Sequence, residues 1–392
     1  MRTSAAVQMR DLAQELLRQG HEPVILVPSE DLDTAWQLET IDGVQVLRLA
    51  GPKIQETSYL RRTLAELALP FKMIWGLRKS SFKDTKWDLV TWYSPTIFFG
   101  PLIWVLKRNS KCRSYLILRD IFPEWALDLG LLGKGPAYAF FKAVANFQYA
   151  MADTIGVQTT SNLGYLEDWA KQRPDRRLEV LQNWQIAAAD TGSSITVANT
   201  PLAGRKIFVY IGNMGVAQGM DILIDLAESL SHREDIGFLF VGRGSEVSRL
   251  KKAVLERSLT NTVFCNEIDS REIPGLLAQC HVGLLALELR HKSHNIPGKF
   301  LSYLLASLPV LARVNAGTDL ARLIEDEGVG LVYVGNKVDP LRQFAEKFSD
   351  STSEYEAMAK RGQALAERMF SPTTAARQIT KAAASPKERV SS

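Results

Sequence analysis

A chain of 392 residues, 46% hydrophobic and 23% charged, is long enough for two buried cores, and its composition excludes disordered, collagen-like and disulfide-rich classes. Cys112, Cys265 and Cys280 lie far apart with no CxxC pair, so free thiols and no metal site are expected. The formal net charge is +4, but residues 51–150 hold 15 Lys/Arg against 7 Asp/Glu. An excess of this kind suits either a solvated helix face or an anionic surface.

No apolar targeting segment and no run long enough to span a bilayer is present, which predicts a cytoplasmic protein. Arg2–Gln19 reads as a helix, with Leu12, Leu16 and Leu17 on one face and Gly20 just past its end. A Rossmann-like half usually opens with a strand and a Gly-rich turn, and neither precedes this helix. PVILVP (Pro23–Pro28) and VQVLRLA (Val44–Ala50) read as strands, and Asp31-Leu32-Asp33 between them as a solvated loop despite its DxD form. Residues 57–87 read as a helix in which Lys72, Arg78, Lys79, Lys83 and Lys86 interleave with Phe71, Trp75, Phe82 and Trp87. That pattern suits peripheral contact with an anionic membrane surface, with Phe71, Met73 and Trp75 at the headgroup boundary, or else aromatics packed inward on a sheet. No nucleic-acid motif accompanies it, so no nucleic-acid partner is expected.

DLVTWYS (Asp88–Ser94), SYLILRD (Ser114–Asp120), TIGVQT (Thr154–Thr159) and LEVLQN (Leu178–Asn183) complete the strands of the first half. Ile186–Gly204, poor in large apolar residues, reads as a linker. The second half gives KIFVYIG (Lys206–Gly212), GFLFVG (Gly237–Gly242), NTVFCN (Asn261–Asn266), HVGLLAL (His281–Leu287), PVLARV (Pro309–Val314) and GVGLVYV (Gly328–Val334). Ser371-Pro372 then starts a last helix. Continuous apolar runs indicate strands buried on both faces, so the prediction is α/β: two doubly wound domains, residues 1–185 and 205–370, a linker at 186–204 and a final helix at 371–385.

Ligands of such sheets bind beyond the carboxyl ends of the strands. Four segments qualify. Gly212-Asn213-Met214-Gly215 and Gly242-Arg243-Gly244 are glycine turns that lead into helices. Arg290-His291-Lys292-Ser293-His294-Asn295-Ile296-Pro297-Gly298-Lys299 concentrates positive charge at a helix start, which suits a diphosphate. Arg119-Asp120-Ile121-Phe122-Pro123-Glu124 ends a strand with charged groups able to act as base or to hold a sugar hydroxyl. Each also has a purely structural reading, as a tight turn or an ion pair that orders a loop.

Taken together, SAAVQMRDLAQELLRQGHEP, LRDIFPEWALDLGL, VLQNW, YIGNMGVAQGMDILI and HNIPGKFLSYLLASLPVLA resemble the retaining, nucleotide-sugar-dependent glycosyltransferases of family 4, which have the GT-B fold. The likeness covers nearly the whole chain and is greatest to the WbuB-like branch, the fucosamine transferases of O-antigen clusters. It implies two Rossmann-like domains facing a cleft, the second holding the nucleotide-sugar and the first the acceptor, with the last helix crossing back. By position it implies Gly212, Asn213 and Gly215 along the diphosphate, Lys299 neutralising it, and Asp120 toward the reacting sugar with Arg119 and Glu124. Arg243, Asn266, Arg290, His294, Asn295, Pro297, Gly298 and Ser302 would complete the donor site. The family's usual pair of glutamates is replaced by His294 and Ser302, its Arg and Lys after the glycine turn by Asn213 and Gln218, and its histidine by Arg119.

The expected activity is therefore transfer of a sugar, an N-acetylated deoxyhexosamine in that branch, from a nucleoside diphosphate to a lipid-linked glycan. No metal and no cofactor beyond the donor are expected. A nucleotide-sugar epimerase, which would turn over the donor alone, and a non-catalytic nucleotide-sugar-binding subunit are the competing readings.

Overall fold

The computed structural model describes residues 4–53, 59–94, 96–128, 130–288 and 295–384. They form two units, one running to Asn183 and resuming at Pro372, the other Trp184–Ser371.

The first unit contains β1 (Val24–Ser29), β2 (Trp36–Ile41), β3 (Val44–Ala50), β4 (Leu89–Tyr93), β5 (Arg113–Leu118), β6 (Thr154–Val157) and β7 (Arg177–Val180). They form two sheets, ordered β1-β3-β2 and β4-β5-β6-β7, and every pairing is parallel except β2 with β3. Strand β2 is absent from the sequence expectation. Its WQLETI offers little to bury, and it is an edge strand fixed by the two-residue turn Asp42-Gly43. Both turn residues have positive φ (49° and 82°), the mirror-type hairpin that matches strand twist. The two sheets contribute to one core, where Leu47 and Leu49 join Val90, Trp92, Leu116, Leu118, Ile155 and Val157. The final helix, Pro372–Ala384, packs on β5 and on the helix Ser4–Arg18, and Gln378 Nε2 donates to Glu179 Oε1 and to Val180 O, each at 2.8 Å.

The second unit holds β8 (Lys206–Ile211), β9 (Ile236–Val241), β10 (Thr262–Cys265), β11 (Val282–Ala286), β12 (Val310–Arg313) and β13 (Gly330–Tyr333) in one parallel sheet, ordered β10-β9-β8-β11-β12-β13. Its two faces bury separate clusters. Ile207 and Val209 of β8 look one way, Phe208 and Tyr210 the other, as a period of two requires. Part of the stretch read as a linker is built into this unit: Val197 and Leu202 are buried in its core.

Candidate functional site

Strand order in the second unit reverses between β8 and β11, the position where a doubly wound sheet opens a crevice. These strands are in register only at Phe208 with Val282 and Val209 with Gly283, so the ladder stops before either strand ends. The Tyr303 hydroxyl bridges the opening, accepting from Ile211 N at 3.1 Å and donating to Leu284 O at 3.3 Å. Gly283 makes room for it, since a Cβ there would overlap the Tyr303 ring.

The turn after β8 forms one wall. Gly212 holds φ 115°, and the Tyr210 hydroxyl donates to Asn213 O at 2.7 Å. Gln218 Oε1 accepts from Gly215 N at 2.9 Å and from Asn213 Nδ2 at 3.1 Å. The side chains of Asn213 and Gln218 thus bond each other, and the turn is held by amides.

The turn after β9 packs directly against this one. A Cβ on Gly242 would fall on the Gly212 carbonyl, and one on Gly244 on the Met214 carbonyl. Met214 N donates to Arg243 O at 2.7 Å. Both glycines are therefore required for close backbone approach. Arg243 is exposed and ion-paired with Glu267 at 3.3 Å, and Asn266 is exposed just past β10.

The helix Gly298–Leu305 forms the opposite wall, with Pro297 in extended backbone as its N-cap. The Lys299 Nζ stands 3.6 Å from the Tyr210 ring centroid. No carboxylate among the described residues pairs with it, and burial pushes its ammonium down to about 7. A Cβ on Gly212 would lie 3.8 Å from Lys299 Cε, so glycine keeps the space beside the lysine open. One turn further, Ser302 Oγ accepts from Gln185 Nε2 at 3.1 Å. Asn295 is partly buried just before the helix, and Gly298 is exposed at its start. Arg290 and His294 lie outside the described residues.

Arg313 was not singled out in the sequence. It ends β12, is buried, and donates through Nε to Gly335 O at 2.9 Å and through Nη1 to Leu287 O. It ties together the chain leaving β11 and β13. The one available signal was a guanidinium inside the apolar run PVLARV.

In the first unit the three charged residues after β5 separate into different roles. Arg119 is buried. Its Nη1 donates to Leu181 O at 2.6 Å and its Nη2 to Gln182 O at 3.1 Å, with the Tyr93 hydroxyl alongside. Burial pushes its guanidinium down to about 10. Glu124 is ion-paired with Lys142 of the helix Pro136–Ala150. Both were expected to serve catalysis; what the structure shows of them is a bracing contact, Arg119 to the chain after β7 and Glu124 to Lys142. Asp120 is only partly buried, and desolvation raises its carboxyl above the ordinary range despite the nearby Arg119 charge. It is the carboxylate of this group left available for chemistry.

Residues 3–184 match the model of the Glycosyl transferase 4-like domain, and residues 196–365 that of Glycosyl transferases group 1. Each half of the chain thus matches a glycosyltransferase domain, and the fold is of the two-Rossmann GT-B class. Among curated relatives it is similar to the probable glycosyltransferase WbjE of Pseudomonas aeruginosa, 26% identical over 55% of this chain and 54% of that protein, so the match spans about half of WbjE. It is 27% identical to WcaI of Escherichia coli K12, named a putative colanic acid biosynthesis glycosyl transferase, over 80% of this chain and 81% of that one. Among solved structures, the fold is that of a trehalose-phosphate synthase from Burkholderia xenovorans (TM-score 0.71, 11% identity, 98% of this chain and 96% of that one). It is also that of Anabaena HepE, solved in complex with UDP and glucose (TM-score 0.62, 17% identity, 88% and 87%).

Proposed function

We propose that this protein transfers a sugar from a nucleoside diphosphate to a lipid-linked glycan during assembly of a surface polysaccharide. The observation that carries the reading is Lys299, a partly buried ammonium with no carboxylate partner among the described residues, at the switch point of a doubly wound sheet. A cation there gains most from a phosphate-bearing ligand. The likeness to WbjE and WcaI supports the polysaccharide role, and the UDP and glucose bound to HepE support a nucleotide-sugar donor.

In this reading Gly212, Asn213 and Gly215 lie along the diphosphate and Lys299 neutralises the charge that develops as it leaves. Asp120 serves the transfer step as base or as acceptor of a sugar hydroxyl. The reading includes retention of configuration, an N-acetylated deoxyhexosamine as the sugar, no metal requirement, and membrane contact through residues 57–87. Incubation of the protein with a panel of nucleoside-diphosphate sugars, with and without membrane extract, tests it. Nucleoside diphosphate released only when extract is present, with label in the lipid fraction, is the expected result. Conversion of the donor without extract would instead identify an epimerase, and binding without turnover a non-catalytic subunit.

A further inference from the structure

Tyr93 closes β4 and has no part in the function proposed above. It pairs with Ile117 of β5, and the ladder continues through Ser94 N, which donates to Ile117 O at 3.0 Å. Residues opposite each other in a parallel pair share a face, as do residues two apart along a strand. Tyr93 and Arg119 therefore lie on one face at the carboxyl end of the sheet. There the Arg119 guanidinium hydrogen-bonds the Tyr93 hydroxyl. The hydroxyl in turn donates to Oε1 of Gln8, on the helix Ser4–Arg18, at 3.1 Å. Tyr93 and Gln8 are both partly exposed.

Chemistry fixes the direction of these bonds. A guanidinium has only donors, so the phenol oxygen accepts from Arg119 and its own proton points away, toward Gln8. A hydroxyl that accepts from a cation is a stronger donor to its next partner. Burial raises the phenol above its ordinary range despite the Arg119 charge, and the Asp120 charge adds to the rise, so Tyr93 keeps that proton at neutral pH. The bond to Gln8 is longer than the usual O–H to oxygen distance of about 2.7–2.8 Å, so a better-placed acceptor can displace the amide. Asp120 as a carboxylate offers only acceptors. A fixed donor and a fixed acceptor thus stand close enough to feel each other's charge, while Arg119 spends its own N–H groups on Leu181 O, Gln182 O and the phenol. A phosphate would suit Tyr93 but set its charge against Asp120, and an ammonium would do the reverse. A sugar hydroxyl with a second oxygen nearby satisfies both.

We propose that Tyr93 and Asp120 together hold the acceptor, Tyr93 donating to one oxygen of its terminal sugar and Asp120 accepting from a neighbouring hydroxyl. The inference rests on the transfer reading above and narrows it. The protein extends an existing saccharide and does not place a first sugar on a lipid phosphate.

The test follows labelled sugar from the nucleoside-diphosphate donor into the lipid fraction of a titrated membrane extract, with polyprenyl phosphate as the alternative acceptor. In Tyr93→Phe the extract needed for half-maximal rate should rise about tenfold, with the maximal rate within about twofold of the parent's. Nucleoside diphosphate affinity, read by calorimetry, should be unchanged. Polyprenyl phosphate should take up no label. If the phenol were only a strut between Arg119 and the first helix, Gln8→Met would impair the protein as Tyr93→Phe does. As the resting partner alone, Gln8 can be lost without raising the half-saturating amount, and thermal unfolding checks that both variants fold. An unmoved curve for Tyr93→Phe, a tenfold rise for Gln8→Met, or label on polyprenyl phosphate overturns the proposal, and the last two decide it even if Tyr93→Phe fails to fold. A parent that transfers to neither acceptor sinks the transfer reading and this pair together. Normal transfer with any of the three contrary results sinks the pair alone.

Discussion

Lys299 and Tyr210 meet where the strand order of the second unit reverses: the ammonium stands 3.6 Å from the ring centroid, and the ring's hydroxyl secures the turn through Asn213 O. The ring offers the cation a favourable face but no neutralising charge. The lysine is therefore preorganised and still short of an anion.

Lys299→Ala should weaken binding of a nucleoside diphosphate by about ten- to a hundredfold, the value of a charge-assisted contact worth about 1.5–3 kcal/mol. The fold should be retained, because no carboxylate among the described residues would be stranded. An unchanged dissociation constant in calorimetry would remove Lys299 from the donor site.

The same lysine sets a pH dependence. Its folded value, about 7, lies below the ordinary 10.5, so between these limits the unfolded chain holds a proton that the folded protein has released. Its contribution to stability therefore rises with pH from about 7 to 10.5 and is flat below 7. A bound diphosphate restores the charge, so at pH 8 nucleotide binding should take up a proton and weaken as pH rises. Binding heats measured in two buffers of different ionisation enthalpy should differ for the parent and agree for Lys299→Arg. Agreement for both would contradict the assignment.

Asp120→Asn should lower transfer by about 10²–10⁴-fold, the usual worth of a positioned acid or base, and leave nucleotide binding intact. Desolvation raises the folded carboxyl above 3.8, so its ionisation works against folding and its contribution declines as pH rises through the shifted range. The amide removes that cost, and thermal unfolding at pH 7 should show the variant equal to the parent or more stable by about 0.5–1 kcal/mol. A destabilised variant with normal turnover would reverse the assignment.

The glycines of the two turns should differ in tolerance. Gly212→Ala has space beside Lys299 and bears only the strain of its φ of 115°, a cost of about 1–3 kcal/mol. Gly242→Ala drives a methyl into the Gly212 carbonyl and should cost more than about 4 kcal/mol or prevent folding. Equal urea midpoints for the two variants would refute this account.

Arg313→Met should destabilise the second unit by about 1.5–3 kcal/mol, because it strands the carbonyls of Leu287 and Gly335. Urea unfolding that leaves the midpoint unmoved would show that water replaces the guanidinium at no cost.

Twelve of the thirteen strands among the described residues were legible as apolar runs, and the inner ones, such as β6, β9, β11 and β12, read as continuous because both their faces are buried. The exception, β2, lies at an edge and alternates, and its real signal was the pair Asp42-Gly43. The crevice was legible in outline, since glycine turns and a helix-start lysine follow β8 and β11 directly. Its internal wiring was not, because the Asn213–Gln218 bond and the Lys299–Tyr210 stack depend on how the chain folds back. The bracing contacts of Arg119 and Glu124 were not legible for a related reason. A charged residue at a strand end looks the same in sequence whether it meets a substrate, a carbonyl or a neighbouring ion, and burial decides.

Arg119 and Arg313 are the same device used once in each unit: a buried guanidinium at the end of an inner strand, gripping the main-chain oxygens of its neighbours. A carbonyl is offered by every amino acid. Anchorage of this kind is blind to the side chains at 182 and 287, so those partly exposed positions can change while the strand ends stay fixed.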